Sequence, residues 1–176
     1  MTQEMKDRMM DSIRNFRLPR YDAIPNVGLY LEQVTQYIRD CLAPLKDVNI
    51  TSSMISNYVK RGLVENPVKK QYNREQIAYL IYIAVTKTVL SLDNIRTLLD
   101  MQKQAYDIKA AYNYFCTELE NNIFYVFGLK DSVDAEDGEV TDEKMMLRNN
   151  VITVAYQTYQ NMCFSVIQDE QGMGKP

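Results

Sequence analysis

Histidine is missing from all 176 residues. With it go the commonest general base, the usual zinc ligand and every Ser–His or Cys–His nucleophile pair. Cysteine is scarce: Cys41, Cys116 and Cys163 stand far apart, form no Cys-x-x-Cys pair and each fall inside an apolar helical pattern, so they read as small buried hydrophobes. Glycine numbers only six, and neither a Gly-rich phosphate loop nor a paired-carboxylate pattern emerges. No uncharged apolar run approaches the roughly 18 residues of a membrane helix, and the polar N-terminus does not resemble a signal peptide. Catalysis, a cofactor, a bound metal and a membrane span are therefore not expected, and the expected location is the cytoplasm.

What remains is an ordinary globular composition, 46% apolar and 24% charged, on a chain long enough for one domain or one small domain with an appendage. Its most informative stretch is Ile50 to Arg74. Thr51 is a good helix N-cap, and Ile50 and Ile55 have the spacing of a hydrophobic staple. Gly62 stands where a left-handed residue ends a helix, with Leu63 able to fold back on Tyr58. A short helix is thus bounded at both ends. Ile55, Tyr58 and Val59 share one face and can dock on a core. Ser53, Ser56, Asn57 and Lys60 fall on the other, where short hydrogen-bonding groups and a cation suit base edges and phosphates.

Beyond Gly62-Leu63-Val64, the turn-forming Glu65, Asn66 and Pro67 lead into Val68-Lys69-Lys70-Gln71-Tyr72, with Asn73 as the next cap. That leaves room for a two-stranded wing carrying Lys69 and Lys70. From Thr51 to Glu75, five basic residues face two acidic ones, a net +3; the whole chain is −3, so the remainder carries −6. A basic island in an acidic chain is the electrostatic footprint of a nucleic-acid site. Arg61, Lys69, Lys70 and Arg74 are the expected phosphate contacts.

The run MISNYVKRGLV followed by KKQYNREQIAYLIYIAVTKTVLSLDNIRTLLD resembles the DNA-binding domain of MerR-type regulators, with Tyr58, Gly62, Leu63, Tyr72, Ile77, Leu80, Leu92, Ile95 and Leu98 at matching places. RYDAIPNVGLYLEQVTQYI together with ITSSMISNYVKRGLV and KKQYNREQIAYL is more closely similar to an uncharacterised Gram-positive bacterial family described as a MerR-like domain of unknown function; this covers about the first hundred residues. The resemblance implies a winged helix-turn-helix and an antiparallel dimer contact made by a helix after it.

Periodicity divides the chain further. Residues 1–17 form an N-terminal amphipathic helix with Met5, Met9, Ile13 and Phe16 inward; Arg8, Arg14, Arg17 and Arg20 accompany it, either solvated or as a basic arm on DNA backbone. Residues 18–101 are the helix-turn-helix domain: a Pro/Gly loop, a supporting helix with Leu31, Val34, Ile38, Cys41 and Leu45 on one face, the recognition helix at about 51–61, a nearly all-apolar helix from Arg74 to about Val89, and a helix capped by Ser91. Residues 102–170 give two long stripes, Ile108 to Val126 and Leu147 to Val166, expected as an antiparallel helical hairpin serving dimerisation or an effector. An acidic loop, Asp131 to Glu143, joins them and is expected to be solvated and mobile. Its spacing fits no EF-hand. Residues 171–176 are an expected disordered tail. The hairpin's aromatics (Tyr106, Tyr112, Tyr114, Phe115 and others) suit a core, a subunit interface or a pocket for a small apolar effector.

The expected fold is all-α, with a MerR-like winged helix-turn-helix and a small two-stranded wing followed by a long C-terminal helical hairpin. The expected function is sequence-specific binding of double-stranded DNA by a dimeric transcriptional regulator. The rival is an all-helical protein-interaction module that keeps the helix-turn-helix shape without binding DNA. The acidic net charge, the slight wing and Ser56, where MerR-type domains usually carry arginine, favour that rival.

Overall fold

A computed structural model describes residues 1–134, 139–170 and 172. Among them are seven α-helices: α1 (Gln3–Ile13), α2 (Leu31–Leu42), α3 (Ser52–Lys60), α4 (Arg74–Thr86), α5 (Leu92–Ala105), α6 (Ile108–Val126) and α7 (Asp142–Glu170). A short 3-10 helix (Tyr21–Ala23) and two short strands, β1 (Leu29–Tyr30) and β2 (Gln71–Tyr72), complete the regular structure among the described residues.

Helix ends follow the local chemistry of the sequence. The hydroxyls of Thr51 and Ser91 accept the third amides of α3 and α5, at 3.2 Å each. Asn73 and Gln76 bond reciprocally, side chain to amide, at 2.9 and 2.8 Å, and fix the start of α4. At the end of α3, Leu63 N–H donates to Tyr58 O and Gly62 N–H to Val59 O, at 3.0 and 2.8 Å, with Gly62 at φ +70°. Those are the two bonds of a Schellman ending, which needs the left-handed residue glycine supplies cheaply.

The core is built on α4. From Gln76 to Thr86 every residue is buried, as its all-round apolar sequence requires. Around it pack Met5, Met9, Ile13 and Phe16 of the N-terminal segment, Val34 and Ile38 of α2, Ile55 and Tyr58 of α3, and the inward stripes of α5, α6 and α7.

Three expectations need correction. The two-stranded sheet does not join residues 62–64 to 68–72. β2 instead pairs antiparallel with β1, Leu29 opposite Tyr72 and Tyr30 opposite Gln71. Leu63 and Val64 are both 3% exposed and held in the core as the exit of α3, so they cannot serve as one edge of a ribbon. Gly28 makes the observed pairing feasible: a Cβ there would lie 2.8 Å from Gln71.

Secondly, the helix that carries the Ile108 to Val126 stripe does not start at residue 102, where the expected C-terminal region begins, because α5 runs on to Ala105. Tyr106 leaves the helical conformation, and Asp107 caps α6 by accepting the Ala110 amide at 3.0 Å.

Thirdly, α6 and α7 are not an antiparallel hairpin. Lys144 lies over the Tyr114 ring, Arg148 pairs with Glu118 at 3.1 Å, and Tyr159 packs edge-on to Phe127 at 5.1 Å. Partners ascend together along both helices, so the two run in the same direction. The segment between them leads the chain back to the start of α6, where Tyr106 Oη and Thr141 Oγ1 meet at 2.9 Å. Fourteen steps of extended chain reach roughly 46 Å, more than the ~28 Å rise of a 19-residue helix, so the return is sterically easy. Part of the expected mobile loop, 135–138, and of the expected tail, 171 and 173–176, lies outside the described residues. No helix among the described residues is long and apolar enough to cross a membrane.

Candidate nucleic-acid interface

Helix α3 separates its two faces as its spacing requires. Ile55 and Tyr58 are 0% and 1% exposed, whereas Ser53, Ser56, Asn57 and Lys60 all face solvent. Tyr58 is held so deep that its hydroxyl has no hydrogen-bond partner among the described residues, and burial pushes its phenol up to about 12.

The outward groups differ in how free they are. Ser56 Oγ donates to Ser52 O at 2.9 Å, and Ser53 Oγ meets Thr51 Oγ1 at 3.0 Å, so both hydroxyls are partly spent on their own helix. Asn57 and Lys60 make no side-chain hydrogen bond or ion pair with any described residue. The same holds for Arg61, Lys69 and Lys70, all exposed.

Lys69 and Lys70 form the two central residues of a tight turn. Gln71 N–H donates to Val68 O at 2.9 Å, and both lysines are left-handed, at φ 51° and 64°. Two consecutive positive φ angles belong to a type I′ turn, where Asn-Gly is the favoured pair. Lysine there costs about 1–2 kcal/mol per residue. The strain holds two ammonium groups outward on a turn that β2 fastens to β1.

That attachment brings the turn towards α3. β1 runs directly into α2, with Tyr30 as its N-cap. In the first turns of α2, Glu32 and Thr35 grip the start of α3: Ser52 Oγ donates to Glu32 Oε1 at 2.8 Å and lies 3.0 Å from Thr35 Oγ1. The lysine turn and the N-terminus of α3 therefore both border the N-terminal end of α2. Arg39 holds the other side of the junction, donating from Nε to Ile50 O at 2.9 Å.

Arg74 does not join the exposed set. Its guanidinium donates to Ile24 O and Asp22 O, at 2.9 and 3.2 Å, and stacks over Tyr21. It fastens the loop before β1 to α4, so its charge is engaged within the protein and not offered to a phosphate. Three of the four arginines of the N-terminal segment are likewise engaged, while Arg8 is exposed. Arg14 pairs with Asp11, Arg20 binds both oxygens of Glu120 at 2.7 and 2.8 Å, and Arg17 lies 4.4 Å over the Phe124 ring.

The sequence reading passed over Ser52 and Arg96. Arg96, on α5, donates to the carbonyls of Arg61 and Gly62 and so braces the end of α3. No local pattern marks either role, because each partner lies 17 to 35 residues away.

Residues 19–115 match a family model described as Domain of unknown function (DUF1836). The chain belongs to this family. The matched segment is more than half of the 176 residues. It takes in the whole interface just described and ends at Phe115, within α6. No curated protein and no solved structure matches the chain.

Proposed function

We propose that this member of the DUF1836 family is a sequence-specific DNA-binding regulator of the MerR-like winged helix-turn-helix type. In this reading α3 enters the major groove, with Asn57 and Lys60, assisted by Ser53 and Ser56, towards base edges. Arg61, Lys69 and Lys70 take the flanking phosphates. The observation that carries the reading is the set of five side chains, Asn57, Lys60, Arg61, Lys69 and Lys70, that are exposed and make no side-chain hydrogen bond or ion pair with any other described residue. Two of them are held outward against a backbone penalty, and strain of that kind collects at functional sites. Phosphate contacts supply affinity that falls with salt, and base-edge contacts supply discrimination.

The protein acts as a homodimer in this reading. Met145, Met146, Tyr156 and Phe164 are exposed on α7 within an arc of about 100°, a face that a second copy would cover. Two recognition helices would then read half-sites roughly 34 Å apart or a multiple of it.

A second reading, a protein-interaction module without DNA binding, has one specific observation in its favour. Glu32 is exposed beside the start of α3, where its carboxylate would oppose an approaching phosphate. Selection of bound duplexes from a random pool, using the full chain at low salt, separates the two. Enrichment of a motif supports the regulator, and recovery of no enriched sequence favours the module.

A further inference from the structure

A cavity of about 220 Å³ lies where the family-matched segment meets the C-terminal helix. Its walls come from four helices: Tyr79 and Tyr82 of α4, Leu98 and Met101 of α5, Tyr112 of α6 and Leu147 of α7, among others. The Tyr106–Thr141 hydrogen bond stands beside it and ties the entry of α7 to the turn between α5 and α6. The wall is almost wholly carbon. The cavity is not sealed, since Ala110 at its rim is exposed; for scale, a closed apolar void of ~150 Å³ is large enough to take benzene. This one is half as large again.

We propose that the cavity is a binding site for a small, uncharged, planar aromatic molecule of about two fused rings, and that its occupancy is relayed to α3 through α5. Size sets the number of rings. Planarity follows from the walls: Tyr82 and Phe115 already pack edge to face at 5.1 Å, and a flat guest extends that arrangement. Neutrality follows from the charges at the edge. Lys103 lies over the Tyr79 ring at 4.9 Å, Lys144 lies over Tyr114 and donates to Glu139 O, and Glu143 sits alongside, so the rim carries both signs while the apolar wall offers an ionic ligand no buried partner.

The relay is a single element. Helix α5 supplies Leu98, Leu99, Met101 and Gln102 to the cavity, and two to six residues earlier the same helix supplies Arg96 to the carbonyls that end α3. A guest that shifts α5 must load or slacken that brace. The meaning of the relay as control of DNA binding rests on the reading of α3 given above; the existence of the site does not.

Naphthalene is a suitable probe, because the chain has no tryptophan to mask its emission. The full-length protein is expected to bind it saturably, with Kd on the order of 0.1 mM for ten non-hydrogen atoms. Ala111→Phe, which fills the cavity from α6, should weaken binding at least tenfold. Ala110→Leu, on the more exposed side, serves if Ala111→Phe fails to fold, folding being checked by circular dichroism. Non-saturable uptake, or unchanged affinity in a folded filled variant, overturns the site. In the wild type, naphthalene should change hydrogen exchange at the Gly62 and Leu63 amides, and Arg96→Ala should abolish that response while leaving naphthalene affinity within about twofold. Saturable binding with no response at those amides overturns the relay. Neither readout uses DNA, so a failed duplex selection would refute the regulator reading and leave this result standing.

Discussion

Helix α3 turns Ser53, Ser56, Asn57 and Lys60 to water, whereas α6 buries Glu118, Glu120, Asn121 and Asn122 at exposures between 4% and 8%. Both are polar stretches on helices, and what separates them is partners. Glu120 accepts from the Leu18 amide and from both terminal nitrogens of Arg20, Glu118 pairs with Arg148, Asn121 accepts from Lys130, and Asn122 donates to Glu118 O. In α6, hydrophilic chemistry is consumed in holding the fold. In α3 the two serines spend part of theirs on their own helix, and that of Asn57 and Lys60 is left over among the described residues. A polar group with no internal partner and full access to water is available for a ligand, whereas a buried one is neutralised by the residues that allowed its burial.

The sharpest way to break the α6 side is to strand one of its charges. Arg20→Ala leaves the buried Glu120 with only the Leu18 amide and the Arg17 guanidinium 3.9 Å away; because Arg20 is itself half-exposed, the urea unfolding free energy should fall by about 2–3 kcal/mol. Removing both charges together, in Arg20→Met/Glu120→Met, should recover most of the loss, since well-packed apolar replacements of buried pairs are often tolerated.

A smaller effect on the same buried region comes from alkali. Burial holds the Tyr82 phenol at about 12 against an ordinary 10. The folded form thus prefers the neutral phenol. Its contribution to stability is complete below pH 10 and disappears as the pH rises from 10 through 12. Urea midpoints measured over that range should fall steadily, and less steeply for Tyr82→Phe.

On the α3 side, Asn57→Ala should cost roughly 1–3 kcal/mol on a selected duplex and little on random duplex, measured by fluorescence anisotropy. Equal losses on both would mean that Asn57 does not read bases. The smallest effect, and the most discriminating, is Lys69→Asn/Lys70→Gly. Relief of the left-handed lysines should raise unfolding free energy by about 1–2 kcal/mol. The same change should flatten the log–log salt dependence of DNA binding by about 1.8, for two phosphate contacts. A variant that is both more stable and weaker in binding would make the turn a site at which stability is given up for contact.

The sequence revealed what is decided within a few residues. Thr51, Asn73, Ser91 and Gly62 act through backbone groups at most a turn away, so their roles could be read before any tertiary structure was known. The outward face of α3 was legible for the same reason. Pairing of Leu29 with Tyr72 was not, because two-residue strands 43 positions apart carry no periodic signal. Nothing local marks the acidic residues of α6 as buried; their burial depends on Arg20, 100 residues earlier, and on Arg148, 30 residues later. Arg74 misled by composition. It is one of five cations in a basic island, and only the loop carbonyls of Asp22 and Ile24 reveal that it is already engaged. The direction of α7 was hidden in the length of the connection before it, which permits a return as readily as a reversal.

The pairing of β1 with β2 has one more consequence. Because β1 continues without a break into α2, the lysine turn is not a flap swinging at the end of a free ribbon but a bracket fixed to the foot of the helix that also grips α3. Bracket and recognition helix would advance as one solid piece. A duplex laid against them would have to supply the accommodation itself, by bending or widening, so the flexibility of the target would enter its selection along with its base edges.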